Sequence, residues 1–305
     1  MPKKKQSAVN DKMKQLDDIK RLVIIAMFSD DSLLERLVLK GGNALDLIHQ
    51  ISTRASCDVD FSMQGDFSKD ELDDVKSRVE TSLKQTFREA GLDVFDFKME
   101  EVPEGLTDDV ADFWGGYGVE FKVIEPSRKS KLGGDLNAIR NRALKLGPGE
   151  KTKFSIDISK HEFVTGKQSY ELGGYLIFAY SPAMMVCEKL RAICQQMTEY
   201  GPVVKRNRAG GARARDFLDI HTLVTEFGFD AASKQNQDLL GHIFLAKRVP
   251  LSLLALVANY AEFHRGNFLA VKDTVKPGVA LKPFDFYFDF VIELISKLDE
   301  NVRGN

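Results

Sequence analysis

The spacing of apolar and polar positions changes once along this chain of 305 residues. Up to about residue 180, short runs with the two-residue alternation of strands are mixed with helical repeats. The predicted strands are 38–39, 58–63, 92–99, 117–124, 153–159 and 176–179. The predicted helices of this part are 13–28, 32–37, 68–90 and 136–146. After Ser181-Pro182 the apolar positions recur every three to four residues. This second half predicts helices over 182–198, 212–226, 230–246, 251–264 and 284–299.

This change of period predicts an α+β fold with two structured parts. We expect a polar, disordered tail over 1–12, then a domain with a mixed sheet over 13–180 and a helical domain over 181–305. A chain of this length is long enough to bury a substantial core in each part.

Composition narrows the class of protein. A hydrophobic content of 43% and a net charge of −2 are ordinary for a globular protein. The three cysteines have no zinc-type spacing, and no apolar run approaches the roughly 20 residues that span a bilayer. We therefore expect a cytoplasmic protein with no membrane partner. Charge is segregated along the chain: 66–112 is acidic, whereas 126–153 and Lys205–Arg215 are basic.

Two glycines mark the first candidate site. The apolar pair Val38-Leu39 runs through Lys40 into Gly41-Gly42, and an apolar helical pattern follows. This order predicts a strand, a tight turn and a helix. Glycines let the backbone approach a ligand closely, and the free N–H groups at a helix start suit a phosphate. A Gly-Gly pair alone is more often only a turn.

Carboxylates form the second candidate site. Asp58 and Asp60 flank Val59 in a strand-like run, so both point to one face. Two adjacent carboxylates repel each other unless a divalent cation lies between them. Asp157 lies in a later strand, on the face opposite Phe154, Ile156 and Ile158. An acid in the middle of a largely buried strand needs a partner, so on its own pattern Asp157 is a paired structural acid.

These motifs resemble a known family. Lys40-Gly41-Gly42-Asn43-Ala44-Leu45, followed by Arg54-x-Ser56-x-Asp58-x-Asp60-Phe61, is similar to the AbiEii/AbiGii-type nucleotidyltransferase toxins of the DNA polymerase β-like superfamily. The helix segment around Lys189 and the segment Arg215-Asp216-x-x-Asp219 resemble two further motifs of that family. The chain departs from the family pattern at Asn43, where a small hydroxyl residue is common, and at Cys57.

The resemblance implies a polymerase β-like domain followed by a helical bundle, and a metal-dependent transfer of NMP from an NTP. Asp58, Asp60 and Asp157 would hold Mg²⁺ or Mn²⁺, and together with Lys189 they would be catalytic. Glu120 is the next candidate for the third carboxylate. The implied NTP-binding residues are Lys40, Gly41, Gly42, Asn43, Arg54, Ser56 and Lys189. Arg215, Asp216 and Asp219 would have a supporting role, with each acid paired either to Lys189 or to Arg215. On its own pattern Lys189 is more typical of a surface lysine that extends from an apolar helix face.

The resemblance also implies partners. The acceptor would be an RNA 3′ end such as that of tRNA, and a separately encoded antitoxin would restrain growth inhibition. Two alternatives stay open from the residues alone. The acceptor could be a protein or small-molecule hydroxyl, or the chain could bind nucleotide or RNA without turnover.

Overall fold

A seven-stranded mixed sheet forms the centre of the computed structural model, which describes residues 2–51, 58–145, 151–272, 274–275 and 279–298. The strand order is β3-β4-β5-β2-β1-β7-β6. The strands are β1 (Leu37–Lys40), β2 (Val59–Met63), β3 (Asp93–Val102), β4 (Gly116–Ile124), β5 (Lys153–Ser159), β6 (Gln168–Leu172) and β7 (Tyr175–Ala179). Strands β2 and β5 are parallel, whereas β1 is antiparallel to β2 and β4 is antiparallel to β5.

Two helices cover one face of this sheet. Helix α1 (Pro2–Phe28) places Phe28 against Phe61 of β2, with ring centroids 5.7 Å apart. Helix α4 (Leu72–Glu89) buries Val75, Val79, Leu83 and Phe87, and Phe87 contacts Phe121 of β4 at 5.6 Å. Because side chains alternate along a strand, Asp60 and its row of neighbours point to the other face.

The remaining helices of the first part are short, and those of the second part form a bundle. The short helices are α2 (Asp31–Arg36), α3 (Gly41–Asn43), α5 (Asp108–Ala111), α6 (Pro126–Ser130) and α7 (Leu136–Asn141), and a π-helical turn follows α3 over Ala44–Ile48. The bundle contains α8 (Pro182–Cys194), α9 (Ala214–Phe227), α10 (Lys234–Ala246), α11 (Ala261–Arg265), α12 (Phe268–Lys272) and α13 (Phe284–Ser296). Segments Thr198–Val204 and Leu251–Tyr260 are 3₁₀ helices.

The predicted α+β architecture is confirmed, and so is the change from strands to helices near residue 180. Helix α1 begins at Pro2 and so includes most of the segment 1–12 that we predicted as a tail. Strand β6 was not predicted, because it is a largely exposed edge strand and lacks apolar alternation. The domain boundary at 180/181 stays a prediction.

Several element bounds also differ from the predictions. Helix α4 begins at Leu72, four residues later than predicted, and the Ser68 N–H before it donates to Glu71 Oε1. Helix α2 begins at Asp31, because the Asp30 side chain caps it by accepting from the N–H groups of Ser32 and Leu33. The predicted helix 251–264 is largely 3₁₀. The apolar side chains at 251, 254, 257 and 260 recur every third residue, which aligns them on one face of a 3₁₀ helix.

In the part of the chain that the structure describes, no single helix is both long and apolar enough to cross a membrane; one pair bent by 87°, Lys234–Ala246 with Leu251–Arg265, would meet the length and composition required.

Candidate active site

Acidic side chains meet in one row on the sheet face away from α1 and α4. Lys40 of β1 pairs with Asp60 of β2, and Asp60 pairs with Asp157 of β5. Paired residues on neighbouring strands point to the same face. Asp58 precedes β2 and borders the same cavity. The structure thus brings together the three carboxylates that the sequence suggested.

The alternative third carboxylate, Glu120, lies farther from this row. Asp157 is opposite Gly118 of β4, whereas Glu120 is opposite Ser155, two positions along the strand. The Glu120 carboxylate also accepts from Lys153 Nζ at 2.8 Å. Asp157 is therefore the residue of β5 directly opposite Asp60. Glu120 lies one strand further away and is paired with Lys153.

A cavity of about 620 Å³ lies between this face and helices α8 and α9. Nine of the residues predicted from the sequence border it: Lys40, Gly41, Gly42, Asp58, Asp60, Asp157, Lys189, Arg215 and Asp216. Asn43 and Asp219 do not border it. Arg54 and Ser56 lie outside the described residues.

The acids perturb one another. Burial raises the pKa of Asp60 to about 6, and the Asp157, Glu188 and Asp58 carboxylates add to this while the Lys40 ammonium opposes it. Partial loss of hydration and the Asp58 carboxylate likewise raise the pKa of Asp157. Carboxylates held this close favour an additional cation between them.

The Gly-Gly turn is built against this row. Gly41 has a φ of +69°, and a Cβ atom there would collide with Asp60 Oδ2. Asn43 is fully buried, and its Nδ2 donates to the Asp58 carbonyl oxygen. The amide that we expected on a phosphate therefore holds the backbone of a predicted metal ligand in this structure, and its NTP contact stays a prediction.

Lys189 does not reach the surface. Its side chain is 5% exposed, and its Nζ lies 3.2 Å from Asp216 Oδ1 and 2.7 Å from Asp219 Oδ2. Of the two pairings that the sequence left open for these acids, the structure shows the one with Lys189. Arg215, the other predicted partner, is exposed at the cavity.

Arg213, from the basic stretch 205–215, supports Asp216 as well. Its Nε donates to Asp216 Oδ2, and its backbone N–H donates to Nδ1 of the fully buried His264 at 3.0 Å. Arg213 also borders the cavity, as do Glu162, Glu188, Arg191 and Lys247. The basic composition of 205–215 was the only sequence signal for Arg213.

The basic stretches are largely neutralised in space. Lys129 pairs with Asp93 at 3.0 Å, and Arg140 pairs with Asp96 at 2.6 Å, so much of 126–153 balances the acids of β3. Lys205 pairs with Asp109 at 2.7 Å. Arg206 donates to the backbone carbonyls of Arg208, Gln195 and Met197 and so holds its own loop.

Comparisons with known proteins bear on the family to which this chain belongs. A family model described as nucleotidyl transferase AbiEii toxin, type IV TA system, matches residues 23–290. No curated protein matches the chain. A protein from H. pylori described as a nucleotidyltransferase is similar in structure, with a TM-score of 0.48, 14% identity, and coverage of 93% of this chain and 94% of that one.

A second solved structure is an antigenic nucleotidyltransferase-like protein from Paracoccidioides brasiliensis. It has a TM-score of 0.34 and 14% identity, and the match covers 85% of this chain and 94% of that one. Neither structural similarity is close enough to support an argument about the site. The family match spans most of the chain, and the protein therefore belongs to the AbiEii family of nucleotidyl transferase toxins of type IV toxin–antitoxin systems.

Proposed function

We propose that this nucleotidyltransferase uses Asp58, Asp60 and Asp157 to hold divalent cations during transfer of NMP from an NTP to a hydroxyl. The observation that carries the proposal is the register of the sheet, which pairs Asp60 with Asp157 beside a glycine turn. Asp60 and Asp157 come from strands that are almost 100 residues apart in sequence, and both border the same charged cavity.

The residues fit Mg²⁺ or Mn²⁺. Carboxylate oxygens are the ligands that such hard cations prefer. Among the described residues, no cluster of three or more His, Cys, Asp or Glu side chains forms a ready-made metal cage. Mg²⁺ commonly binds to one or two carboxylates, with waters and substrate phosphates completing its coordination. A row of separate carboxylates beside a phosphate-sized cavity is suited to that mode of binding.

Bound divalent cations would neutralise triphosphate charge and lower the pKa of the attacking hydroxyl. The chain supplies the positioning. The turn at Gly41-Gly42 lets backbone N–H groups approach phosphate oxygens, and Lys40 precedes it with an ammonium on the same face as Asp60. Lys189 would contact the triphosphate by exchanging one of its carboxylate partners for a phosphate oxygen.

For the acceptor we propose an RNA 3′ end, with tRNA as the example that the family resemblance suggests. Arg208 and Arg215 are exposed, and Arg215 borders the cavity, so both are suited to contact a phosphate backbone. With Arg215 included, the cavity lining carries equal numbers of acidic and basic residues, six of each. It is therefore not a general attractor of polyanions, and a protein or small-molecule hydroxyl is the competing acceptor.

We further propose that a separately encoded antitoxin restrains the activity in a cytoplasmic setting, in keeping with the type IV toxin–antitoxin description of the family. An inactive protein that only binds nucleotide or RNA is less consistent with the site. A row of carboxylates beside a glycine turn is unfavourable without a cation.

The deciding experiment incubates the purified protein and Mg²⁺ with each labelled NTP and total RNA. We expect label from at least one NTP in an RNase-sensitive fraction, and none with Asp60→Asn. Label that is sensitive only to protease would show that the acceptor is a protein. Label that stays in the small-molecule fraction would show that the acceptor is a small molecule. Absence of transfer from every NTP to any fraction would contradict the proposed activity.

A further inference from the structure

A second charged group, centred on Glu162, also borders the cavity. Glu162 is buried, and its carboxylate oxygens lie 2.6 Å from Arg191 Nη1, 3.4 Å from Lys40 Nζ and 3.7 Å from Lys247 Nζ. None of these four residues, here called the Glu162 cluster, is more than 8% exposed. Burial alone would raise the pKa of Glu162, but the three cations outweigh it and hold that pKa below its ordinary value.

The Glu162 cluster has more positive than negative charge. Glu188 is the one further carboxylate near Arg191 among the described residues, at 3.6 Å from Nη2. Lys40 also faces the Asp60 and Asp157 carboxylates, whereas Glu162 is the one carboxylate within ion-pair distance of Lys247 among the described residues. An anion beside Lys247 and Arg191 would therefore offset buried positive charge. Arg191 Nε is also buried and has no hydrogen-bond partner among the described side chains and backbone.

A group of side chains with excess negative charge lies next to the Glu162 cluster. Asp58, Asp60 and Asp157 place three negative charges on the same cavity, and Lys40 joins the two groups because it is the register partner of Asp60 and an ion-pair partner of Glu162. One ligand class matches both groups at once. A nucleoside triphosphate chelated to a divalent cation offers its cation to carboxylates and its terminal phosphates to ammonium and guanidinium groups.

We propose that the Glu162 cluster is the binding site for the β- and γ-phosphates of the NTP, with Lys247 and Arg191 as direct phosphate ligands. This inference rests on the proposed function. Arg191 lies on α8, Lys247 follows α10, and Lys40 ends β1, so the phosphate tail would be held jointly by the sheet and the helical bundle. The competing explanation is that the Glu162 cluster only joins the two parts of the chain.

Binding of inorganic tripolyphosphate in the presence of EDTA separates the two explanations. EDTA removes divalent cations from the carboxylates, so the anion can bind only to the lysine and arginine side chains. Binding is measured by titration calorimetry for the wild type and for Lys247→Met. That variant leaves Glu162 with two cationic partners, so the fold is expected to survive. The matched control is Lys20→Met, which removes a buried lysine of α1 that does not border the cavity.

We expect the wild type and Lys20→Met to bind tripolyphosphate equally, and Lys247→Met to bind it at least tenfold more weakly. A nucleoside monophosphate should not compete. Equal binding by Lys247→Met and wild type, or no binding by wild type, would overturn the inference. So would competition by the monophosphate, because the site would then not be specific for the phosphate tail.

A gain-of-binding variant gives an independent readout. Glu162→Gln removes the competing negative charge, so tripolyphosphate should raise the melting temperature of this variant more than that of the wild type. A purely structural cluster predicts a lower melting temperature with no larger response to the anion. If this variant does not fold, Lys247→Met still decides the question.

Failure of this inference can be told apart from failure of the proposed nucleotide transfer. Tripolyphosphate binding by the Glu162 cluster would persist in Asp60→Asn, whether or not the wild type transfers a nucleotide. Transfer without tripolyphosphate binding would place the phosphate tail elsewhere in the cavity.

Discussion

Gly41 lies directly against the carboxylate of Asp60. A Cβ atom at position 41 would collide with Asp60 Oδ2, and the φ of +69° at Gly41 is one that side chains other than glycine rarely adopt. The turn that is proposed to receive phosphate and the carboxylate proposed to hold metal are therefore fixed relative to each other.

Gly41→Ala should disturb the site more than the fold. The added methyl group must displace the Asp60 carboxylate, and misplacing a catalytic group by about 1 Å costs on the order of 100-fold in rate. The control is Gly65→Ala, which has a similar φ of +73° with open space around its Cβ position. Transfer rates and melting temperatures of both variants are compared. Equal losses of activity in the two would contradict a specific contact with Asp60.

Asp60→Asn should abolish transfer while stabilising the metal-free protein. Burial and neighbouring carboxylates raise the pKa of Asp60 from 3.8 to about 6, so the native state disfavours its charged form at pH 7.5. The neutral amide removes that cost, which is about 3 kcal/mol. Chemical denaturation in EDTA measures it. Near-normal transfer by the variant would exclude Asp60 as a metal ligand.

Local alternation was enough to predict the carboxylate row. Asp58-Val59-Asp60 and the run around Asp157 each reveal which face an acid occupies, because side chains alternate along a strand. The sequence could not show that β2 and β5 are neighbours in register. That pairing depends on the whole sheet, and only then do Asp60 and Asp157 become adjacent.

The charged network behind the row left no local signal. Glu162 lies 29 residues from Arg191 and 122 from Lys40 in sequence, and each residue alone is an ordinary charged side chain. For Asn43 the sequence signal was present but predicted a different contact. Its place in the motif suggested a phosphate contact, whereas its buried side-chain amide donates to the backbone carbonyl of Asp58. Motifs indicate which residues gather, but packing decides what each one touches.

Lys189→Met should destabilise the fold, whatever its role with nucleotide. Removing the ammonium leaves Asp216 and Asp219 in a buried site with one less cation, and breaking a buried ion pair typically costs about 3–5 kcal/mol. The double variant Lys189→Met/Asp219→Asn should recover part of that loss. Denaturation and NTP affinity are measured for both.

The double variant separates a structural from a ligand-binding lysine. If Lys189 contacts the triphosphate, NTP affinity stays low even where stability recovers. Recovery of both quantities together would show that Lys189 acts only by holding the two carboxylates.

His264 should make the protein sensitive to mild acid. Burial lowers the pKa of His264 from 6.5 to about 4, so the unfolded chain takes up a proton before the native state does. Stability is therefore full above about pH 6.5 and falls towards pH 4, by up to about 3 kcal/mol. His264→Asn keeps an acceptor for the Arg213 N–H but does not titrate, so its stability should change less over this range. The same pH dependence in both proteins would contradict this role.

The last prediction concerns the acceptor, and it depends on which arginines are available. Arg206 and Arg213 are committed to the loop backbone and to Asp216, so replacing them would disturb the fold. Arg208 and Arg215 are exposed instead. Contacts with phosphate supply most non-specific affinity for RNA and make it depend steeply on salt. Arg208→Ser/Arg215→Ser should therefore weaken RNA binding severalfold and flatten its salt dependence between ~50 and ~200 mM.

The matched control for this pair is Arg128→Ser/Lys131→Ser, which removes two exposed cations of the other basic stretch, remote from the cavity lining. Binding of total tRNA is measured by fluorescence anisotropy at several salt concentrations, and NTP binding is measured in parallel. We expect the control to bind tRNA as the wild type does, and NTP affinity to be little changed in either variant. If the acceptor is instead a protein or a small molecule, the Arg208/Arg215 variant will keep full transfer activity, and wild-type activity will be nearly indifferent to salt over the same range.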